Sequence, residues 1–313
     1  MKLVKLKSKV AIIGCGFVGA SSAYAIAMKG IVSELVLIDV NNDKAVGEAM
    51  DLNHGLSFLG QTSIYAGDYS DIKDCDVIVI TAGANRKPGE SRLDLAHKNN
   101  SIIRDVVGNV MKFYNTGVIL VVSNPLDLVT YIVQKASGLP ANKVFGSGTI
   151  LDTVRFKYLL SDKLGVDVNS IQGYMIGEHG DSVVPAWSTV TVGGLRFDKY
   201  CALNNIKIDK NAILNDVKVA GAEVIKKKGA TYYAIALSVS HITETILKNQ
   251  NSILPLSTVV NERFGIDDVA LSLPCILGGE GIVSIPNIEF TPDEIAGLKN
   301  SAVQINTILN EIR

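Results

Sequence analysis

The feature that most constrains this chain is Gly14-Cys15-Gly16-Phe17-Val18-Gly19, set between an apolar run and a stretch with helical spacing. Lys9–Ile13 reads as a buried strand and 18–29 as a helix. A strand that feeds a helix through three glycines does so by a tight turn. Gly14 permits the turn, Gly16 lets a pyrophosphate approach the backbone, and Gly19 allows close helix–strand packing. The helix start then offers free N–H groups and a partial positive charge to phosphates. Three glycines alone are a weak signal, since glycine-rich turns occur in unrelated α/β chains. Asp39 strengthens it, because it follows the next apolar run, Glu34–Ile38, about 20 residues on, as a dinucleotide fingerprint requires. A carboxylate there can accept hydrogen bonds from ribose hydroxyls and would repel a 2′-phosphate, so NAD is expected over NADP.

The remainder of the first half repeats this rhythm. Residues 76–81 and 118–123 read as strands and 101–114 as a helix. Val/Ile runs alternating with helices imply parallel strands covered on both faces. The expected class is therefore α/β, with a doubly wound parallel sheet. The second half is less regular, with a Gly193-Gly194 turn between strands and helices over 211–227, 231–248 and 291–312, which suggests an α+β domain. A chain of 313 residues suits two domains. No Pro/Ser-rich linker divides it, so the boundary is set near 146–148, giving 1–146 and 147–313. Apolar residues make up 47% and charged residues 19%, the balance of a chain with a large core. A net charge of -1 gives no basic footprint for nucleic acid or an anionic membrane. Cys15, Cys75, Cys201 and Cys275 are scattered, so no metal site or disulfide framework is indicated, and reduced thiols in a cytoplasmic protein are expected. The N-terminal stretch is broken by lysines and lacks the apolar core of a signal peptide.

Chemistry concentrates in four places. Of four histidines, His54, His97 and His241 read as structural or surface residues. His179 differs, since Gly177-Glu178-His179-Gly180-Asp181 lets backbone approach a ligand and an imidazole titrates near neutral pH. Upstream, Asp152-Thr153-Val154-Arg155 places a carboxylate and a guanidinium on one helix face. Asp152 can orient His179, and Arg155 can grip a substrate carboxylate through two parallel bonds. The plain alternative for Asp152 and Arg155 is a surface ion pair. Thr81-Ala82-Gly83-Ala84-Asn85-Arg86 leaves a strand's C-terminal end and runs on to Arg92, reading either as a solvated loop or as a lid over substrate. Ser123-Asn124-Pro125-Leu126-Asp127 follows another strand end. Asn-Pro marks a sharp turn that can carry a cis bond, and Asn124 can face nicotinamide or substrate or serve as a turn residue.

Together 14–19, 81–92, 123–127, 148–156 and 177–182 resemble the L-lactate/L-malate dehydrogenase family, in its bacterial lactate-dehydrogenase-like branch. The likeness runs from Lys9 to the C-terminal helix, with five motifs in order. The resemblance implies an NAD-binding Rossmann domain, a substrate domain and a homo-oligomer, usually a tetramer, that acts on a small 2-keto or 2-hydroxy acid. It implies that Gly14, Gly16, Phe17, Val18, Gly19, Asp39, Thr81, Ala82 and Gly83 line the cofactor, with Ile235 packing on the nicotinamide face. His179 would exchange the proton, Asp152 favour the imidazolium, and Arg155 bind the shared carboxylate. Arg92 would polarise the carbonyl, Asn124 bond near the reacting oxygen, and Thr231 border the substrate side chain.

One position departs from the lactate pattern. Lactate-specific relatives usually carry Gln where this chain has Arg86, and malate-specific relatives carry Arg. A second substrate carboxylate would pair with Arg86, whereas pyruvate's methyl would leave it unpaired at a cost of about 3–5 kcal/mol. A loop arginine that swings into water escapes part of that cost, and the rest of the loop resembles a lactate enzyme. The expectation is a lactate-type scaffold with a preference for oxaloacetate. Lys157 and Gln172 stand where many relatives bind fructose 1,6-bisphosphate with Arg and His, so little activation by it is expected. A related NAD-dependent glycosidase family would call for a metal-ligating Cys where Ser123 stands, and a nucleotide sensor would not need Arg92, Asp152, Arg155 and His179 together.

Overall fold

The computed structural model describes residues 8–84 and 92–312. Arg86 and the rest of 85–91 lie outside the described residues. The first half runs β1 (Lys9–Ile13), α1 (Phe17–Lys29), β2 (Glu34–Ile38), α2 (Asn42–His54), β3 (Ser63–Ala66) and β4 (Val77–Ile80). It continues through α3 (Arg92–Met111), β5 (Val118–Val121), α4 (Leu126–Ser137) and β6 (Val144–Gly146). The second half holds α5 (Ile150–Leu164), β7 (Ile171–Ile176), β8 (Val184–Val192), β9 (Leu195–Arg196), α6 (Phe197–Leu203), α7 (Lys210–Lys228) and α8 (Tyr233–Leu247). β10 (Ser252–Val260), β11 (Val269–Gly278), β12 (Gly281–Ser284) and α9 (Pro292–Ile312) complete it.

Strands β1 to β6 form a parallel sheet in the order β6-β5-β4-β1-β2-β3. Strand order reverses between β1 and β4, and open α/β sheets bind ligands at that crevice, beyond the strands' carboxyl ends. The sheet is buried on both faces, as the continuous Val/Ile runs imply. Along β1, Ala11 and Ile13 join one core cluster while Val10 and Ile12 join the other.

The sheet continues beyond β6, which the sequence pattern does not announce. β10 pairs antiparallel with β6 at Ser257 and Gly146, and β11 and β12 follow, giving nine strands. Pro255 and Pro274 sit opposite each other in that pairing, and internal prolines argue against a strand assignment from sequence. A separate antiparallel sheet, β7-β8-β9, packs with α5, α6 and α7 around Phe156, Met175, Val190 and Phe197. Gly193 and Gly194, both at positive φ, make the expected turn between β8 and β9. Gly177, just past β7, exchanges two backbone hydrogen bonds of 2.9 Å with Ser272 of β11, which ties the small sheet to the large one. Among the described residues no helix is long and apolar enough to cross a membrane, and all four cysteines are buried and free.

Candidate active site

The glycine turn is built as its spacing requires. Gly14 has φ +102°, and its N–H donates to the Ile38 carbonyl at 2.7 Å, joining the ends of β1 and β2. A Cβ on Gly19 would fall 1.8 Å from the Gly14 carbonyl oxygen, so only glycine lets α1 pack there. A Cβ on Gly16 would meet nothing within 4 Å, which leaves open approach to the backbone at the helix start. Gly16 is the N-cap of α1 and no side chain caps it, so the first-turn N–H groups, including those of Phe17 and Val18, are free of side-chain acceptors there. These features fit a dinucleotide pyrophosphate.

Asp39 follows β2, and its carboxylate accepts the Cys15 N–H at 2.6 Å and the Asn41 N–H at 2.9 Å. It is thereby fixed beside the turn, where ribose hydroxyls would be met. Thr81, Ala82 and Gly83 leave the end of β4, and the Thr81 hydroxyl donates to the Gly14 carbonyl at 2.6 Å. Across the turn, Phe17 stacks on Tyr232 with ring centroids 5.3 Å apart. Tyr232 lies between Thr231 and the start of α8, which carries the half-buried Ile235. The stack brings Thr231 and Ile235 to the same side of the molecule as the glycine turn.

The catalytic candidates converge from two elements. Asp152 and Arg155 are one turn apart on α5, and His179 follows β7. His179 Nδ1 lies 2.6 Å from Asp152 Oδ2, and Arg155 Nη1 donates to Asp152 Oδ1 at 3.3 Å. One buried carboxylate therefore holds both cationic groups. The Asp152 charge raises the His179 pKa to about 9, against the opposing effect of burial. Burial pushes Asp152 up, but the neighbouring His179 and Arg155 outweigh it and hold the carboxyl below its usual range. Gly221 of α7 backs the Arg155 guanidinium, since a Cβ there would sit 3.5 Å from Nη2. With Nδ1 engaged, Nε2 is the imidazole nitrogen left for a substrate proton. His54, His97 and His241 are exposed, as expected of surface residues.

Two supporting residues, Asp127 and Asn99, have no role legible in the sequence. Asp127, in the first turn of α4, accepts the His179 backbone N–H at 2.7 Å and the Ser257 hydroxyl at 2.6 Å. The buried Asn99 of α3 accepts the Ala84 N–H at 2.7 Å and donates to the Asn124 carbonyl at 2.6 Å. It clamps Ala84, beyond the end of β4, to the Asn124 turn. The Asn124–Pro125 bond is cis. Asn124 and His179 line one cavity of about 170 Å³, with Leu95, Asp127, Glu178 and Ile305. A larger cleft of about 330 Å³ against Trp187 and Lys210 includes none of the expected site residues. Arg92 opens α3, close in chain to this cavity's Leu95.

A dinucleotide turn at the sheet's switch point and a carboxylate-oriented histidine beside an arginine define an NAD-linked oxidoreductase for small acids. Residues 8–146 match the lactate/malate dehydrogenase NAD binding domain, and 149–313 match the lactate/malate dehydrogenase alpha/beta C-terminal domain. The chain is 47% identical to an L-lactate dehydrogenase of Thermoanaerobacter sp. (strain X514), over 97% of this chain and 99% of that protein. The solved L-lactate dehydrogenase of Clostridium thermocellum is 56% identical, with a TM-score of 0.89 over 98% of this chain and 100% of that one. A lactate dehydrogenase from a Medee basin deep-sea metagenome library is 42% identical, with a TM-score of 0.94 over 98% and 99% of the two chains. The chain belongs to the lactate/malate dehydrogenase family, and its cofactor is NAD.

Proposed function

We propose that this chain interconverts pyruvate and L-lactate as an NAD-dependent L-2-hydroxy acid dehydrogenase. The observation that carries the chemistry is the shared carboxylate of Asp152, 2.6 Å from His179 Nδ1 and 3.3 Å from Arg155 Nη1. NADH, when bound, supplies the hydride that reduces the substrate carbon. His179, protonated at neutral pH because of Asp152, gives its Nε2 proton to the keto oxygen and takes one back in oxidation. Arg155 fixes the substrate carboxylate with donors not engaged by Asp152. Arg92 stabilises charge developing on the carbonyl oxygen, Asn124 orients it, and Thr231 bounds the substrate's far end. Gly14, Gly16 and Gly19 cradle the pyrophosphate, Asp39 selects the unphosphorylated ribose, and Ile235 with Thr81, Ala82 and Gly83 flanks the rest of the cofactor.

The choice of pyruvate rests on the relatives that bear the name L-lactate dehydrogenase, at 42–56% identity over nearly the whole chain. Arg86 favours a second reading, oxaloacetate and L-malate, through its charge. Comparing kcat/KM for pyruvate and oxaloacetate in the native chain and in Arg86→Gln decides between them. The lactate reading requires pyruvate to be preferred in both. Native preference for oxaloacetate, reversed by Arg86→Gln, would establish the malate reading instead. The working form is a homo-oligomer, with a tetramer as the expected size and the cytoplasm as the expected compartment.

A further inference from the structure

We propose that Asp127 is a positioning residue for the proton transfer, anchoring His179 by its backbone and acting on the imidazole as a second carboxylate. The inference rests on the role of His179 proposed above. Asp127 and His179 are far apart in sequence, yet Asp127 Oδ2 accepts the His179 N–H at 2.7 Å. The other oxygen accepts the Ser257 hydroxyl from β10 at 2.6 Å. With Asp152 on the ring and Asp127 on the backbone, both ends of the histidine are fixed.

The charge on Asp127 is what needs explaining. The residue is 3% exposed, and its two hydrogen bonds among the described residues come from neutral donors. An asparagine would satisfy the same geometry, accepting from the His179 N–H and donating to the Ser257 oxygen. A buried carboxylate without a direct cationic partner costs stability, and burial raises its pKa to about 6 despite both hydrogen bonds. Its charge in turn helps to keep His179 protonated. Among the described residues, the charged groups that act on the imidazole are Asp152 and Arg155 from α5 and Asp127 from α4, while Glu178, beside His179 in the chain, acts on Asp127. Of these, Asp127 alone holds the histidine's own backbone. An ionised group kept at that site despite its cost implies use of its field.

The test uses the full chain and NADH. Asp127→Asn is expected to lower kcat at least about tenfold with KM for NADH unchanged. The high-pH limb of kcat/KM for the keto acid is expected to move down by at least about half a pH unit, because His179 loses a neighbouring negative charge. A fall in kcat with the limb unmoved would mean a purely structural role and would overturn the inference, as would unchanged kinetics. If Asp127→Asn does not fold, Ser257→Ala serves. Losing a hydrogen bond to the ionised form makes Asp127 easier to protonate, so variant activity relative to native should be at least about threefold lower at pH 5.5 than at pH 8. A ratio independent of pH would refute the idea. His179→Ala separates the two levels: if it retains native turnover, the role of His179 fails; if it is inactive and the Asp127 tests fail, only the present inference falls.

Discussion

At the residue scale, the site is governed by how one carboxylate is shared. Asp152 is buried, which raises its own pKa, yet two cationic neighbours more than reverse that. The return effect raises His179 from 6.5 to about 9. Since the folded-state pKa is raised, the pair's stabilisation is fully present below about pH 6.5 and is lost as pH rises toward about 9. Activity should follow the same titration, because in the proposed mechanism reduction needs the imidazolium and should fall as pH passes about 9. Asp152→Asn should bring that limb of kcat/KM down by more than about one unit and lower kcat roughly hundredfold. It should also flatten the decline in thermal midpoint between pH 6.5 and 9; a limb left in place would show that Asp152 does not set the proton's affinity. His179, Asp152 and Arg155 were legible in the sequence because glycine flanks and an i, i+3 spacing are local signals. Asp127 carries no legible role in its motif, because its partner is a backbone N–H in a remote segment, which no side-chain pattern records.

At the element scale, what could be read depended on whether burial left a period. Helices with one wet face, such as α7 and α9, lie within a residue of their expected starts and ends. α4 is the exception: Leu126 through Val133 are all buried, yet Asp127, Thr130 and Gln134 recur at helical spacing, a signal present in the sequence that the Asn-Pro turn before it overshadows. α3 begins at Arg92, nine residues before the expected start at 101, so Arg92 belongs to a helix start and not only to a loop. The glycine turn was legible because each glycine answers a separate steric demand, and those demands can be tested apart. Gly16→Ala meets no atom within 4 Å, so the fold should tolerate it, with an unchanged thermal midpoint. The added methyl instead occupies the ligand's approach, and the NADH dissociation constant should rise at least about tenfold. Gly19→Ala drives a methyl into the Gly14 carbonyl, so it should destabilise the fold itself by about 1–3 kcal/mol or more, measured by denaturant unfolding. If Gly16→Ala unfolds the chain while Gly19→Ala leaves it stable, the two roles have been assigned the wrong way round.

At the scale of the whole molecule, the two halves meet across α1 and α8 as well as through the shared sheet. α1 and α8 pack on each other, and Lys29 at the end of α1 bonds Glu244 of α8 at 2.6 Å. Their outer faces carry Tyr24 and Met28, one turn apart on α1, and Tyr233 and Leu237, one turn apart on α8. All four are more than half exposed, between 55% and 67%. Single exposed apolar side chains are ordinary, but two such pairs on adjoining helices make a face that water covers poorly. A second copy of the chain would cover such a face without any other partner, since symmetric self-association presents the same patch twice. The same two helices bear the proposed cofactor site at their N-terminal ends, where Phe17 stacks on Tyr232. Assembly through this face would brace the two helices that carry the proposed cofactor site. Met28→Asp with Leu237→Asp places two charges on the face and should shift the sedimenting species to a smaller one, with weaker NADH binding in the dissociated form. A native chain that sediments as a monomer at micromolar concentration, or a double variant with unchanged mass, would rule this face out as the contact.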